Sequence, residues 1–328
     1  MTEQFAAGPL EAGARLDRVL VAHWPTWSRT RWQTAIADGQ VQVNGRPAVR
    51  AGQLLALGDV VAADLPAELP PVVPLQHEPL DVEIPIRYRD DVVVVVCKPA
   101  GVVVHPSAGH AHGTLVQALW PEVAAAGGEA GRAGVVHRLD RDTAGLMMLA
   151  RTQSARMALS AALARRDVHR RYWALVEGHL DPPDGRIEAP IGRDPRHRTR
   201  MAVASAGRPA ATRYRTVARW PRHSWVALEL ETGRTHQVRV HLAALGHPVL
   251  GDGVYGSGPA LGQPHQALFA YALSFGHPAH PHRQVTVVEP WPQAWERALD
   301  ALGPPIDGCI PPRCAGAAAV SAVKGMAT

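Results

Sequence analysis

The sequence predicts an α+β protein in which a mixed, largely antiparallel central sheet with flanking helices follows a small N-terminal α/β unit. Strand-like segments from about residue 80 to 302 are not separated regularly by full helices, as a doubly wound parallel sheet requires. Five prolines between residues 66 and 79 predict an extended, semi-rigid connection. The chain has 328 residues, which is long enough for two domains.

These patterns divide the chain into four segments. We expect a small domain at 13–66, a proline-rich linker at 67–80, a main domain at 81–302 and a disordered tail at 303–328, because the tail is rich in proline and alanine.

The N-terminal unit reads as two helices followed by short strands. Apolar residues recur at helical spacing from Leu16 to Leu20, and a second helix is predicted between a Ser28 cap and Gly39. The segment VQVNGRPAV reads as two strands joined by an Asn-Gly turn. Between residues 15 and 50 there are six arginines and only two acidic residues. With two helices followed by short strands, this unit resembles the S4 RNA-binding module. A solvated helix face is the alternative. The resemblance implies RNA contacts that include Arg29, Arg31 and Arg46.

The main domain alternates apolar strands with a few helices. Predicted strands are VVVVVCKP, GLMMLART, RRYWALVEG, SWVALELETG and RQVTVVEPW. A short helix is expected at GTLVQALW, and a longer one at SARMALSAALARRD with Ser154 as its cap. The segment THQVRVHLAALG predicts a helix that ends at Gly246, with Val238, Leu242 and Leu245 toward the core.

The amino-acid composition limits the classes of function that the protein could have. The formal charge is +5, and all but two of the 34 basic residues are arginines, whose planar fork suits phosphate. A GC-rich genome would give the same bias. No apolar run approaches the ~20 residues of a membrane span, and no secretory signal is evident, so we expect a cytoplasmic protein without a membrane partner. Cys309 and Cys314 could form half of a metal clamp, but the tail supplies no further ligands.

Three polar stretches could carry chemistry. In GVVHRLDRDTAG, Asp140 lies between two strands, where it either caps a turn or shares a task with Asp142. In LETGRTHQVRVHL, Arg234 lies at a helix N-terminus, where it could meet a carboxylate or a phosphate. In RRDVHRRYWALVEG, Tyr172 begins a strand among arginines, as either a core residue or a platform for an unpaired base. Seven arginines and one acid between residues 193 and 215 form a basic patch.

Together these stretches resemble the motifs of the RluA family of pseudouridine synthases. The matching segments are GVVHRLDRDTAGLMMLART, RRYWALVEGH, ETGRTHQVRVH and KPAGVVVHPSAG. The resemblance implies the pseudouridine synthase fold and an RNA isomerase that needs no cofactor and no metal. One departure is Ala144, where the family usually has serine, and it bears on a loop hydrogen bond.

The resemblance also implies roles for individual residues. Asp140 would be the catalytic carboxylate, Arg234 would pair with it, and Tyr172 would stack on the uracil. Arg138 would occupy the space of the displaced base. Further substrate contacts are expected from His137, Thr143, Gln237 and Arg239.

The expected partner also follows from the resemblance. The segments HPSAGHAHGT and MAVASAGRPAATRYR resemble those of family members that modify large-subunit ribosomal RNA. We therefore expect large-subunit (23S) ribosomal RNA or a ribosomal precursor particle as the partner of a monomer.

Two other functions are compatible with parts of the pattern. An RNA-binding assembly factor could retain the fold without activity, but Asp140, Tyr172 and Arg234 would then be free to vary, and all three are present. A metal-dependent hydrolase would need His105, His110 and His112 near the Asp140/Asp142 pair.

Overall fold

The computed structural model describes residues 2–24, 27, 29–64, 77–107, 110–127, 132–197, 200–313 and 319–324. The chain forms two compact units, residues 1–74 and 75–328. Most of the predicted linker at 67–80 lies outside the described residues, as does the predicted helix cap Ser28.

The first unit packs two helices against a small antiparallel sheet of order β1-β4-β2-β3. Its elements are β1 (Thr2–Ala6), α1 (Leu16–His23), α2 (Arg29–Ala37), β2 (Val41–Val43), β3 (Arg46–Pro47) and β4 (Val60–Asp64). Leu16, Leu20 and Trp32 are completely buried between the helices and the sheet, as their helical spacing predicts. Strand β1, which pairs with β4, was not predicted.

The turn between β2 and β3 follows the predicted Asn-Gly chemistry. Asn44 and Gly45 have φ angles of 53° and 71°, and a two-residue hairpin turn needs both residues in this left-handed region.

The second unit is built on a large, mostly antiparallel sheet, as the sequence predicts. Its principal strands follow the order β16-β12-β13-β8-β14-β7-β6-β5. The strands of the second unit are β5 (Ile86–Arg89), β6 (Val93–Lys98), β7 (Ala144–Ala150), β8 (His169–Glu177), β9 (Asp184–Glu188), β10 (Ile191–Arg193), β11 (Met201–Val203), β12 (Ala211–Trp220), β13 (His223–Leu230), β14 (Leu268–His277), β15 (His280–Val288), β16 (Asp307–Gly308) and β17 (Ala319–Lys324). Of these, β10 and β11 form a separate two-stranded sheet.

Gly145 lies where β7 pairs with β14, the parallel pairing within this sheet among the described residues. Its φ is +117°, and a Cβ atom at this position would collide with the backbone of Ala270. Only glycine therefore allows β7 to approach β14 directly after the loop that carries Asp140.

Helices cover parts of both sheet faces. They are α3 (Leu115–Ala118), α4 (Trp120–Val123), α5 (Gln153–Arg165), α6 (Gln237–Ala244) and α7 (Glu296–Leu302). The predicted cap of α5 is wrong by two residues, because Thr152, and not Ser154, accepts the N–H of Ala155. Leu245 lies beyond the end of α6 and is exposed, contrary to prediction. None of the described helices is long and apolar enough to cross a membrane.

Parts of the segment 303–328, which the sequence predicts to be a disordered tail, lie in strands. Strand β16 pairs with β12, and β17 pairs with β15. The indole N–H groups of Trp220 and Trp291 donate hydrogen bonds to the carbonyls of Gly303 and Pro311. Backbone pairing and buried indoles thus hold a segment whose composition alone predicts disorder.

Candidate active site

Asp140 lies in the loop that leads into β7, and this loop is fastened at both ends. The Met148 N–H of β7 donates to Nε2 of His137 over 3.1 Å. Thr143 is buried; its N–H donates to the Asp140 carbonyl, and its hydroxyl accepts a hydrogen bond from Gln266. His137 and Thr143, predicted as substrate contacts, therefore both make hydrogen bonds that hold the loop.

Burial fixes the protonation state of His137. It lowers the imidazole pKa to about 3, and the nearby charge of Arg170 acts in the same direction. A neutral ring can accept the Met148 N–H, which an imidazolium could not do.

Lys98 supports the middle of the loop from the end of β6. Its ammonium group is fully buried and donates to three carbonyls, those of Pro99, Val102 and Arg141, at 2.7–2.9 Å. Burial lowers the pKa of Lys98 to about 7, against the opposing charges of Asp142 and Asp140. Three converging carbonyls suit a compact ammonium better than a planar guanidinium. This explains a lysine in a chain that otherwise uses arginine almost everywhere.

Arg239 on α6 joins Asp140 to a second, fully buried carboxylate. Its Nη1 donates to Asp140 over 3.0 Å, while Nε and Nη2 form a bidentate pair with Asp252 at 2.7 and 2.9 Å. Burial works to raise the pKa of Asp252, but Arg239 and the N–H groups of Val254 and Tyr255 lower it below its ordinary value. We call Asp140, Arg239 and Asp252 the buried ion network.

Only one member of the buried ion network remains accessible. The side chain of Asp140 keeps 16% exposure, against 6% for Arg239 and none for Asp252. Arg239, which is anchored on the inaccessible Asp252, therefore orients the accessible carboxylate of Asp140.

His236 and Tyr255 complete the surroundings of Arg239. His236 precedes α6 in the left-handed conformation, with φ 56°, and its Nδ1 lies 2.9 Å from the Tyr255 hydroxyl. The Arg239 guanidinium lies 5.1 Å from the centre of the Tyr255 ring, within cation–π range. Burial lowers the pKa of His236, although the charge of Asp140 opposes this shift.

Asp140 opens onto a cleft. Of the cavities that Asp140 lines, the largest, of about 540 Å³, is bounded by Asp140, Tyr172 and the end of α5, and a second of about 320 Å³ lies on the His236 side of the loop. A small third cavity contains Asp140, Tyr172 and Arg239. Asp140 and the exposed Arg138 line all three cavities.

Tyr172 is placed by strand β8 on the face of the sheet that carries the cleft. It is 4% exposed and lines the largest cavity together with Asp140. Burial raises the pKa of its phenol to about 12, with Arg170 lowering it and Asp140 raising it further. The ring is therefore neutral near pH 7 and offers a flat, largely apolar surface.

The structure corrects the predicted partner of Asp140. Arg234 lies in the loop before α6, lines the cleft, and donates its Nε to the Pro209 carbonyl over 3.0 Å. Arg239, which was predicted to contact substrate, makes the ion pair with Asp140 instead. Arg239 lies within α6, and the helix directs it toward the buried side.

Gln237 also makes hydrogen bonds within the protein, and its predicted substrate contact stays a prediction. Its side chain is 3% exposed, donates to the Ala211 carbonyl and the Thr212 hydroxyl, and accepts from the Arg234 N–H. Gln237 thus fixes the backbone of the Arg234 loop against β12.

The three arginines predicted to contact RNA in the first unit lie in α2 and β3. Arg46 is exposed on β3, and the Arg31 guanidinium lies 4.3 Å from the centre of the Trp27 ring. The backbone of Arg29 lies in α2. Their predicted contact with RNA stays a prediction.

Among the described residues, no three His, Cys, Asp or Glu side chains lie together in a way that could hold a metal ion. His112 pairs with Glu78, and His105 is buried, so the histidine cluster required by a hydrolase is not assembled there. Cys314 lies outside the described residues.

Sequence reasoning missed Asp252, Tyr255 and Lys98. The rarity of lysine was a usable signal for Lys98. Asp252 and Tyr255 carried no local signal, because they meet Arg239 only after the chain has folded.

Comparison with known proteins identifies the family. Residues 92–244 match the model of the RNA pseudouridylate synthases, and residues 14–61 match the S4 domain. The chain is 40% identical over 295 residues to an uncharacterized RNA pseudouridine synthase of Synechocystis, with 88% of each chain covered. It is 41% identical over 307 residues to the ribosomal large subunit pseudouridine synthase D of Xanthomonas campestris, with 89% of each covered.

A solved structure agrees with this relationship. Human RNA pseudouridylate synthase domain containing 1 is 27% identical, with a TM-score of 0.54 over 70% of this chain and 91% of its own. The chain belongs to the RNA pseudouridine synthase family, whose members are RNA isomerases, and it carries an S4 domain at its N-terminus.

Proposed function

We propose that this protein isomerises specific uridines of large-subunit ribosomal RNA to pseudouridine, with Asp140 as the catalytic carboxylate. The observation that carries the proposal is the position of Asp140. It is an accessible carboxylate, oriented by Arg239, at the meeting point of three cavities. The choice of RNA is supported by the relative from Xanthomonas campestris, a ribosomal large subunit synthase similar along 89% of this chain.

The reaction breaks the bond from ribose C1′ to uracil N1, turns the base and rejoins it to the ribose through C5. The C5 proton is released and N1 gains one, so no redox change takes place. Asp140 supplies negative charge against the electron-poor centre that forms as the glycosidic bond breaks. Arg239 holds that carboxylate in place, because its other two contacts are anchored on buried Asp252.

Tyr172 and Arg138 hold the RNA during this step. The ring of Tyr172 stacks on the uracil, and such stacking contributes roughly 1–3 kcal/mol. Extrusion of a base from a helix costs a few kcal/mol. Arg138, exposed at the junction of the cavities, fills the space that the base leaves. Stacking on Tyr172 and occupation of the vacated space by Arg138 together offset the free-energy cost of base extrusion.

The S4 domain supplies a second RNA contact. Its exposed Arg46 and its Arg31, together with Arg29 in α2, add the positive charge that non-specific affinity for RNA requires. This contact retains the RNA, and the chemistry remains with the second unit.

Pseudouridine mapping tests the proposal. Ribosomal and transfer RNA are compared between a strain that lacks the gene and the same strain complemented with the unaltered gene or with Asp140→Asn. We expect specific large-subunit pseudouridines to disappear and to return only with the unaltered gene. Loss of transfer RNA sites alone would overturn the choice of RNA, and restoration by Asp140→Asn would overturn the role of Asp140.

A further inference from the structure

The roles proposed for Asp140 and Tyr172 do not account for the surroundings of the Arg170 guanidinium in the cleft. Arg170 lies two residues before Tyr172 on β8, so both side chains point to the same face of the sheet. Arg170 lines the largest cavity, and its Nε is buried without a hydrogen-bond partner in the described part of the chain. It forms no ion pair with any acidic residue described there.

The loop before α6 leaves room for this guanidinium. A Cβ atom built on Gly233 would lie 2.7 Å from Nη1 of Arg170, which is too close for any real contact. A side chain at position 233 would therefore displace the end of the Arg170 side chain. The backbone of Gly233 is outside the left-handed region, so its conformation does not require glycine.

The other cations of the cleft point to the charge of the ligand. Arg138 and Arg234 line the same cavity, and neither forms an ion pair with an acidic side chain among the described residues. Arg166, by contrast, lies 3.8 Å from Glu231. These three guanidinium groups line one cavity without forming an ion pair with any described residue, while Asp140 and Glu231 line it as well, and such a set of guanidinium groups favours an anion with several oxygens.

We propose that Arg170 binds a backbone phosphate beside the target uridine and thereby positions the strand for stacking on Tyr172. This inference rests on the proposed function. The spacing of the strand supports it, because Arg170 and Tyr172 lie next to each other on one face as a phosphate and its base do in RNA. Arg170 is a positioning residue, since it acts on the RNA backbone and not on the reacting atoms.

The test is single-turnover tritium release from a large-subunit ribosomal RNA transcript labelled at uridine C5, measured over a range of enzyme and KCl concentrations. These rates give the maximal rate and the half-saturating enzyme concentration. For Arg170→Gln we expect the half-saturating concentration to rise about tenfold or more, because a charge-assisted hydrogen bond is lost. The maximal rate should change much less, since a phosphate is held equally before and during the reaction.

Salt dependence separates phosphate binding from a structural role. A lost phosphate contact lowers the slope of affinity against salt concentration, in logarithmic form, by about 0.7 for a single strand. Arg171→Gln is the matched control, because Arg171 is the next residue on β8, faces the opposite side of the sheet and pairs with Glu229. We expect less than about a twofold effect there. An unchanged slope, or equal effects of both variants, would overturn the inference.

Gly233→Ala provides a second variant that retains every charge. Its new methyl group displaces the Arg170 guanidinium, so affinity should fall with the same change of slope. The double variant should then be no weaker than Arg170→Gln alone. Additive losses of affinity in the double variant would overturn the inference. Because Gly233→Ala retains every charge, it tests the inference even if Arg170→Gln folds poorly. Lack of tritium release by the unaltered protein would instead overturn the proposed function, and the inference with it.

Discussion

Two sets of arginines surround Asp140, and they differ in what balances their charge. Arg239, in the buried ion network, is bound to two carboxylates. Arg138, Arg170 and Arg234, which we call the cleft arginines, line the largest cavity and form no ion pair with acidic side chains in the described ranges. Arg239 thus orients a carboxylate of the protein, and we propose that the cleft arginines bind a ligand.

The largest effect is expected from Arg239→Met. This change leaves Asp252 buried without its partner, and breaking a buried pair costs about 3–5 kcal/mol. Turnover should be lost as well, because Asp140 is no longer oriented. Chemical denaturation and tritium release measure the two effects. The matched variant Arg234→Met should leave the free energy of unfolding within about 0.5 kcal/mol of the unaltered protein. Equal destabilisation by both would remove the distinction between the two sets.

Tyr172 lines cavities with both sets of arginines, and two substitutions separate its roles. Tyr172→Ala removes the stacking surface and should weaken RNA binding by about 1–3 kcal/mol. Tyr172→Phe keeps the ring and should bind nearly as well as the unaltered protein. Single-turnover kinetics would then show whether the hydroxyl matters: normal turnover of Tyr172→Phe leaves stacking as the whole role, while lost turnover with intact binding assigns a proton transfer to the phenol.

Arg138 should matter only when a base has to leave a helix. Arg138→Gln is expected to slow turnover of a paired target uridine by about tenfold, because the cost of extrusion is no longer offset. With the same uridine placed in a single-stranded segment, the variant and the unaltered protein should react at similar rates. A defect of equal size on both RNAs would make Arg138 a general phosphate contact.

A separate effect concerns pH and the loop anchor His137. Its pKa is about 3 in the folded protein and 6.5 when exposed, so below pH 6.5 the unfolded chain binds the proton more strongly. As the pH is lowered from 6.5 to the folded pKa, the free energy of unfolding should therefore fall by about 1.4 kcal/mol per pH unit. In His137→Gln, whose amide oxygen can still accept the Met148 N–H, this part of the loss should disappear.

Urea denaturation at several pH values measures this difference. His282→Gln, at an exposed position of β15, is the control and should retain the full pH dependence of the unaltered protein. An unchanged pH dependence in His137→Gln would show that the ring is not the buried, neutral acceptor described above.

Much of the fold could be predicted from local patterns. Runs such as Val93 to Val96 form fully buried strand residues, and Asn44-Gly45 forms its turn, because strand burial and turn conformation depend on neighbours in the chain. The pairing of β16 could not be predicted, because its partner β12 lies far away in the sequence.

The site could be predicted only in part, for a similar reason. The motif containing Arg234 and Arg239 is compact, but its two arginines lie on either side of the start of α6. Arg239 meets Asp140 across 99 residues of sequence, and no local periodicity encodes that contact. Family resemblance indicated the region, and only the folded chain distinguishes the arginine that binds Asp140 from the one that faces the cleft.

The central claim, that Asp140 is the catalytic carboxylate, is tested most directly by Asp140→Asn in single-turnover tritium release from a large-subunit ribosomal RNA transcript labelled at uridine C5. Asparagine retains the shape and still accepts a hydrogen bond from Arg239, but it carries no charge. We predict no detectable tritium release, with RNA binding within about twofold of the unaltered protein. Turnover by Asp140→Asn at a rate comparable to that of the unaltered protein would contradict the claim.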